Sequence, residues 1–345
     1  MIRKDAQIPS GLLNRFGRGL QPRRIEVPIA SGFSGASILH LHCDQGEFCL
    51  RAWPAPGLPT QRILGLHRLL EFTFEAGVCQ VAVPLKSDSA TTLVEMDGRR
   101  WQLEPWMPGI ADFWTNRSDA RLRAAVRCLA GWHRAAVAFV PDNRETKWFA
   151  SSPGDRSPAV SERINLIDSW SPDKLEALRQ RFRGGDWPRL SDLGSQMVAL
   201  FERTAATIAD ELRTVQRQRF PLQPCLRDVW HDHVLFTGDE VTGLIDPSAC
   251  RTENVATDLA RLLGSFVGDD AASWDVAINE YTNVRPISLP EMALIHVLDR
   301  SSVLLSGMNW LDRILLRQEL PADRSRVEER IQTIVQRLTH LADQM

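Results

Sequence analysis

From Ile25 to Trp106 apolar and polar positions alternate in short runs separated by turn residues, the pattern of half-buried β-strands. Ile25–Ala30, Ile38–Cys43 and Phe48–Trp53 read as consecutive antiparallel strands, with Asp44-Gln45-Gly46-Glu47 as the turn between the last two. After Pro54, Pro56 and Pro59 the period changes. Ile63, Leu66, Leu69, Leu70 and Phe74 recur at helical spacing and predict a helix over 60–76, stopped by Gly77. Strands resume at Val81–Leu85 and Thr91–Met96, and Asp97-Gly98 is a type I′ hairpin signal leading into Arg99–Trp106.

Beyond Pro108-Gly109 the chain turns helical, with Leu122, Val126, Leu129, His133 and Ala136 on one face. Residues 142–188 are rich in Pro, Ser, Gly, Asp and Arg and read as loop around one or two short helices. Helices return at about 191–216, and 256–266, 270–282, 289–318 and 323–343 also have helical periodicity. Between them, Val234–Phe236 and Val241–Ile245 flank Thr237-Gly238-Asp239-Glu240 as a short hairpin. The expected class is α+β, a small antiparallel β lobe with one helix followed by a large, mainly helical lobe. The expected boundaries are an arm at 1–24, an N-terminal lobe at 25–105 and a C-terminal lobe at 106–345.

Composition adds exclusions. Lys plus Arg number 41 against 43 Asp plus Glu, a net charge of −2, so no global field favours nucleic acid or an acidic membrane. No stretch reaches the ~18 apolar residues of a membrane span. Residues 1–24 carry six basic groups without a following apolar core, which reads as a loosely held arm and not as a secretory signal. The six cysteines form no Cys-x-x-Cys pair, and Cys43, Cys49, Cys79 and Cys128 lie in apolar-patterned segments, as expected of reduced, buried thiols in a cytoplasmic protein.

The densest polar cluster is Leu226-Arg227-Asp228-Val229-Trp230-His231-Asp232-His233, just before the hairpin, with Asp246 just after it. A hairpin brings the residue before its first strand beside the residue after its second. His233 and Asp246 are therefore expected side by side, with Asp228 one short loop away. Two carboxylates and a ring nitrogen brought together raise one another's pKa unless a cation balances them. The alternatives are a solvated loop and a structural hydrogen-bond knot.

This order resembles the aminoglycoside phosphotransferase and choline kinase families, themselves similar to protein kinases, whose catalytic loop reads His-Gly-Asp-x-x-x-x-Asn before a hairpin ending in Ile-Asp-Phe or a close variant. Asp228 matches the catalytic Asp, His233 stands where the Asn should be, and Ile245-Asp246-Pro247 stands at the metal-binding Asp. Asp258-Leu259-Ala260 and Leu129-Ala130-Gly131-Trp132-His133 are similar to two further family elements, so the likeness spans about residues 25–310. It implies a bilobal protein-kinase-like fold and an enzyme that transfers the ATP γ-phosphate to a hydroxyl of a small molecule.

The same resemblance assigns roles. Asp228 would orient or deprotonate the acceptor hydroxyl. Asp246 and His233 would hold Mg²⁺, with Mn²⁺ as the alternative. The small residues Gly32, Ser34, Gly35 and Ser37, between two strands, would let backbone N–H groups approach the phosphates, although by themselves they are equally a hairpin turn. Arg51 replaces the family's phosphate-gripping Lys, and Glu71 and Glu75 of the expected helix read as solvated and not as its partners. Glu104 and Trp106 would offer backbone hydrogen bonds to adenine. Three departures stand out: Leu226, Arg227 and His233 replace the motif's His, Gly and Asn, and His is a poorer Mg²⁺ ligand than an amide oxygen. Two alternatives follow, an inactive nucleotide-binding pseudokinase and a metal-dependent hydrolase built on His231, His233 and the neighbouring Asp residues.

Overall fold

The computed structural model describes residues 8–28, 36–184, 186–319 and 323–345. The chain divides into two compact units, one of residues 1–151, 228–252 and 277–285, the other of residues 152–227, 253–276 and 286–345.

The first unit is built on strands β1 (Pro22–Glu26), β2 (Ser37–Cys43), β3 (Gly46–Ala52), β4 (Val94–Met96) and β5 (Arg99–Pro105), with helix α1 (Thr60–Glu75) between β3 and β4. They form one antiparallel sheet in the order β1-β2-β3-β5-β4. Alternation assigns its two faces. Leu39, Leu41, Leu50, Ala52, Trp101 and Leu103 enter one apolar core, while His40, His42, Cys49, Arg51, Gln102 and Glu104 occupy the alternate positions. Leu12 and Leu20 are buried in that same core. Residues 8–24 are thus packed rather than loose, because they cover apolar surface the sheet would otherwise expose. Asp97 and Gly98 both have positive φ (52° and 70°), as a type I′ turn requires.

Several local expectations change. Val81–Leu85 is not a strand: Val81 makes one isolated bridge, to Leu244, and the segment 91–96 contributes only Val94–Met96. Phe74 lies on the outer side of α1 and is 46 % exposed. Cys79 is exposed, whereas Cys49, Cys225 and Cys250 are buried, and none of the six cysteines is in a disulfide.

Helix α2 (Asp119–Ala136) is capped by the Ser118 side chain, which accepts from the Arg121 N–H, and it buries Leu122, Val126, Leu129 and Trp132. It anchors the later hairpin, Val234–Thr237 with Glu240–Leu244. The Arg121 guanidinium donates to the Gly238 carbonyl at 2.7 and 2.9 Å and to Asp112 at 2.7 Å. Ile110 bridges Phe236, and the Thr242 hydroxyl donates to the Pro108 carbonyl at 2.7 Å. Gly109 is required here: φ is +102°, and a Cβ would lie 2.4 Å from Thr242 Oγ1.

The second unit is mainly helical, with helices Pro158–Asp168, Pro172–Gly184, Pro188–Gln216, Ala256–Phe266, Leu289–Leu311 and Arg324–Asp343. Three begin with proline, whose fixed φ suits a first helical turn. Residues 142–188 are therefore far more helical than their loop-like composition implies, and 152–155 form a strand paired with Phe220–Cys225, a strand the pattern did not signal. The expected 289–318 helix ends as α at Leu311 and continues as a π turn, Asp312–Leu316. Among the described residues no helix is long and apolar enough to cross a membrane.

Candidate active site

The hairpin performs the juxtaposition expected of it. Val234 pairs with Leu244, and the Ile245 N–H donates to the His233 carbonyl at 3.0 Å, so His233 and Asp246 flank one end of the ladder. His233 Nδ1 lies 2.7 Å from the Asp228 carbonyl oxygen. A carbonyl only accepts, so Nδ1 carries the proton, and in the neutral ring Nε2 keeps the lone pair. Asp246 sits in the left-handed region at φ 52°, ψ 58°, a conformation that costs a non-glycine residue on the order of 1–3 kcal/mol and clusters at functional sites.

The charge facing Asp246 comes from β3. Arg51 Nη1 donates to Asp246 Oδ1 at 2.9 Å, and the Arg51 side chain is only 5 % exposed. Burial would raise the Asp246 carboxyl, but Arg51, aided by His233, outweighs it and holds the carboxyl below its ordinary range. Burial would likewise lower the Arg51 pKa, yet Asp246 and Glu104 together raise it. Arg51 Nε is buried without an acceptor among the described residues, a donor position that a phosphate oxygen would satisfy. Glu71 does not serve Arg51; it pairs with Lys86 at 2.6 Å.

Behind Arg51 runs a buried polar chain. Gln102, opposite Arg51 in the β3–β5 register, accepts from Trp53 Nε1 at 2.7 Å and lies 2.9 Å from His67 Nε2, and its Nε2 donates to Glu104 at 2.6 Å. Burial raises the Glu104 carboxyl and lowers His67 to about 4. The Glu104 side chain thus belongs to the Arg51 network. The Trp106 N–H donates to the Glu47 carbonyl at 3.0 Å, continuing the β3–β5 ladder, so this one of its backbone groups is engaged within the sheet.

Gly32, Ser34 and Gly35 lie outside the described residues; Ser37 opens β2 and accepts from Arg99 at 3.4 Å. The hydrolase alternative needs His231, His233 and the neighbouring Asp residues gathered around one ion. His231 is stacked by Trp114 at 4.1 Å, and the ligand atoms of His231, His233, Asp228, Asp232 and Asp246 do not gather three at a time within 4.8 Å. A Mg²⁺ ion fits differently, since it binds through one or two carboxylates plus substrate phosphates and water; Asp246 is the carboxylate available for it.

In the second unit, the backbone leading into Asp228 is held by Asp258, which is fully buried and accepts from the Leu226 N–H at 2.7 Å and the Arg227 N–H at 2.5 Å. Arg227 has φ +64°, which explains why the resembled motif carries Gly there. Its guanidinium pairs with Glu162. Burial lowers the neighbouring Arg163 to about 10, against the pull of Glu253 and with the push of Arg227 and Arg261. The sequence pattern missed Gln102 as a site residue, the Glu104 side chain and Arg163. Polar residues at alternate positions of the otherwise apolar run 101–105 were the signal for the first two.

Comparison with known proteins gives the family and the fold. The model of the phosphotransferase enzyme family matches residues 26–295. A homoserine kinase of Methylobacterium nodulans is 27 % identical over 227 residues, 64 % of this chain and 60 % of that protein. A homoserine kinase of Methylocella silvestris is 28 % identical over 243 residues, 68 % and 63 % respectively. The chain thus spans about three fifths of the length of these curated relatives. Among solved structures, a spectinomycin phosphotransferase in complex with ADP and spectinomycin matches with a TM-score of 0.70 at 11 % identity, covering 95 % of each chain. A microcompartment-associated aminopropanol kinase matches at 0.63 and 12 % identity, covering 93 % of this chain and 92 % of that one. The fold is therefore the kinase-like α+β fold.

Proposed function

The chain belongs to the phosphotransferase enzyme family, a family of small-molecule kinases, and on that premise we propose that it transfers the ATP γ-phosphoryl group to a hydroxyl of a small molecule bearing a carboxylate, of the hydroxyamino-acid class. The observation that carries the reading is the grouping of Arg51, Asp246 and His233 around the hairpin, with Asp228 hydrogen-bonded to His233 through its backbone. ATP with Mg²⁺, when bound, supplies the phosphoryl group and the counter-charge for it.

The rest is work for this chain's residues. Asp246 would hold the cation and Arg51 would donate to phosphate oxygens, and backbone N–H groups of Gly32, Ser34, Gly35 and Ser37 are assigned to the phosphates as well. The Asp228 carboxylate orients the acceptor hydroxyl and takes its proton, while His233 fixes the Asp228 backbone. Residues 25–105 form the nucleotide-binding part. Two things support the carboxylate-bearing acceptor: the homoserine kinases among the relatives, and the Arg227 guanidinium, next in sequence to Asp228, whose positive field reaches the buried Arg163 together with that of Arg261.

The test is ADP release by the full chain with ATP and Mg²⁺ against homoserine and other hydroxyamino acids, amino alcohols lacking the carboxylate, and aminoglycosides. Turnover confined to carboxylate-bearing acceptors is expected. A preference for amino alcohols or aminoglycosides overturns the acceptor class, and ATP binding without turnover of any acceptor favours the inactive nucleotide-binding protein.

A further inference from the structure

On the polar face of the sheet, four side chains from three strands meet. His40 and His42, two residues apart on β2, point to the same side. Glu26 of β1 is the register partner of His40, and Glu47 of β3 that of His42. His40 Nε2 lies 2.9 Å from Glu47 Oε2, His42 Nε2 lies 2.9 Å from Glu26 Oε1, and His42 Nδ1 lies 3.4 Å from Glu47 Oε1. The two imidazole centroids are 4.1 Å apart.

We propose that Glu26, His40, His42 and Glu47 form a binding site for a zinc-type divalent transition metal. Two imidazole nitrogens and two carboxylates are a donor set suited to Zn²⁺ and less to Mg²⁺ or Ca²⁺. The spacing agrees: around a tetrahedral ion with ligands at about 2.0–2.1 Å, neighbouring ligand atoms are ~3.3–3.4 Å apart. The two Nε2–oxygen contacts, His40 to Glu47 and His42 to Glu26, are already 2.9 Å; one ligand atom each from Glu26, His40 and His42 fall within 4.8 Å of one another, and Glu47 joins them from its place beside His40. Side-chain rotation closes the remaining gap. The ion would replace the contact between Glu26 and Arg24, now 3.0 Å.

The site is also supported from outside, as metal-binding imidazoles are. The Trp106 ring stacks on His40 at 3.7 Å and 9°, fixing the ring plane, and the Trp106 N–H holds the Glu47 backbone at 3.0 Å. An ion here ties β1, β2 and β3 together and immobilises His40 against the segment that follows β5. This binding site shares no residue with the Arg51–Asp246 pair and does not depend on the proposed phosphoryl transfer.

The experiment is calorimetric titration of the chelator-stripped full chain with Zn²⁺, with Co²⁺ absorption as a report on tetrahedral coordination. Thermal unfolding is followed with and without Zn²⁺. The wild type is expected to bind one equivalent at this site and to melt several degrees higher when loaded. His42→Ala should weaken that binding at least 100-fold and abolish the shift. Glu26→Gln, which keeps the shape and one oxygen, should weaken it about tenfold and carries the test if His42→Ala fails to fold. Asp246→Asn should leave this binding intact. Failure of the wild type to bind, unchanged affinity in His42→Ala or Glu26→Gln, or loss of the binding in Asp246→Asn each overturns the proposal.

Discussion

Arg51 on β3 donates to Asp246 at 2.9 Å although 195 residues separate them in the chain. Asp246 is therefore a counter-ion of a buried guanidinium before it is anything else. Removing one partner of such a pair leaves a buried charge uncompensated and costs about 3–5 kcal/mol. With Glu104 still facing Arg51, Asp246→Asn is expected at the lower end, near 3 kcal/mol, with loss of Mg²⁺-dependent nucleotide binding. The sign with pH follows from the lowered Asp246 carboxyl. Its stabilisation is present above the unfolded pKa of about 4 and disappears as pH falls through the lower folded value. Urea unfolding of both forms should differ at pH 7 and converge well below pH 4.

His67 supplies a second pH signature in a higher window. It is buried, hydrogen-bonded to Thr92 and Gln102, and lowered to about 4 by burial. Its unfolded pKa is about 6.5, so the unfolded chain takes up a proton first and stability falls as pH drops from 6.5 towards 4. At 1.36 kcal/mol per pKa unit the full loss is about 3 kcal/mol. His67→Gln should flatten the stability profile between pH 6.5 and 4; an unchanged slope would show that His67 does not control it.

Asp258 holds the backbone on the N-terminal side of Asp228 through two N–H groups. In Asp258→Asn the amide can accept from only one of them and turns a donor towards the other, at a cost of about 1–3 kcal/mol. Turnover should fall at least tenfold as the loop loosens, with nucleotide affinity little changed. Arg227→Gly separates backbone from side chain. Relief of the left-handed conformation, about 1–2 kcal/mol, offsets glycine's entropy cost of about 0.5–1 kcal/mol, so stability should stay within ~1 kcal/mol. KM for a carboxylate-bearing acceptor should rise about tenfold with kcat nearly constant.

His233→Asn tests what the ring does. An Asn side chain can still donate to the Asp228 carbonyl, as His233 Nδ1 does at 2.7 Å, and it adds an amide oxygen, a better Mg²⁺ ligand. Mg²⁺-dependent nucleotide affinity should be equal or higher. His233→Ala, which leaves that carbonyl without its donor, should lower turnover. Titration calorimetry with Mg²⁺ and Mn²⁺ reads both; loss of cation dependence in His233→Asn would mean that the imidazole itself is the ligand.

The hairpin and its flanking residues were legible because pairing across a short turn is local: once Val234 pairs with Leu244, His233 and Asp246 must be neighbours. The Arg51–Asp246 pair was not, since nothing local ties β3 to residue 246, and an acidic cluster in the sequence turned out to be half of an ion pair. Alternation along 101–105 puts Gln102 and Glu104 on one face of their strand, but only register reveals that Gln102 lies opposite Arg51. Helices in 158–184 were hidden by their composition. The prolines that look like breakers are first-turn residues at 158 and 172, and an amphipathic face with few apolar anchors, such as Leu175 and Leu178, gives a weak periodic signal.

Asp228 carries the enzyme reading, and its substitution separates chemistry from binding. Its backbone is fixed from both sides, by the His233 ring on its own carbonyl and by Asp258 on the two preceding N–H groups. Asp228→Ala should therefore fold and bind nucleotide with Mg²⁺ as the wild type does. A positioned proton acceptor contributes about 10²–10⁴-fold, and the loss should appear in kcat with the nucleotide KM near its original value. Asp228→Asn keeps the size and removes the basicity, so it should be nearly as slow; activity close to wild type in this variant would mean that Asp228 only orients the acceptor and takes no proton. ADP release under saturating ATP, measured beside nucleotide affinity by calorimetry, distinguishes these outcomes.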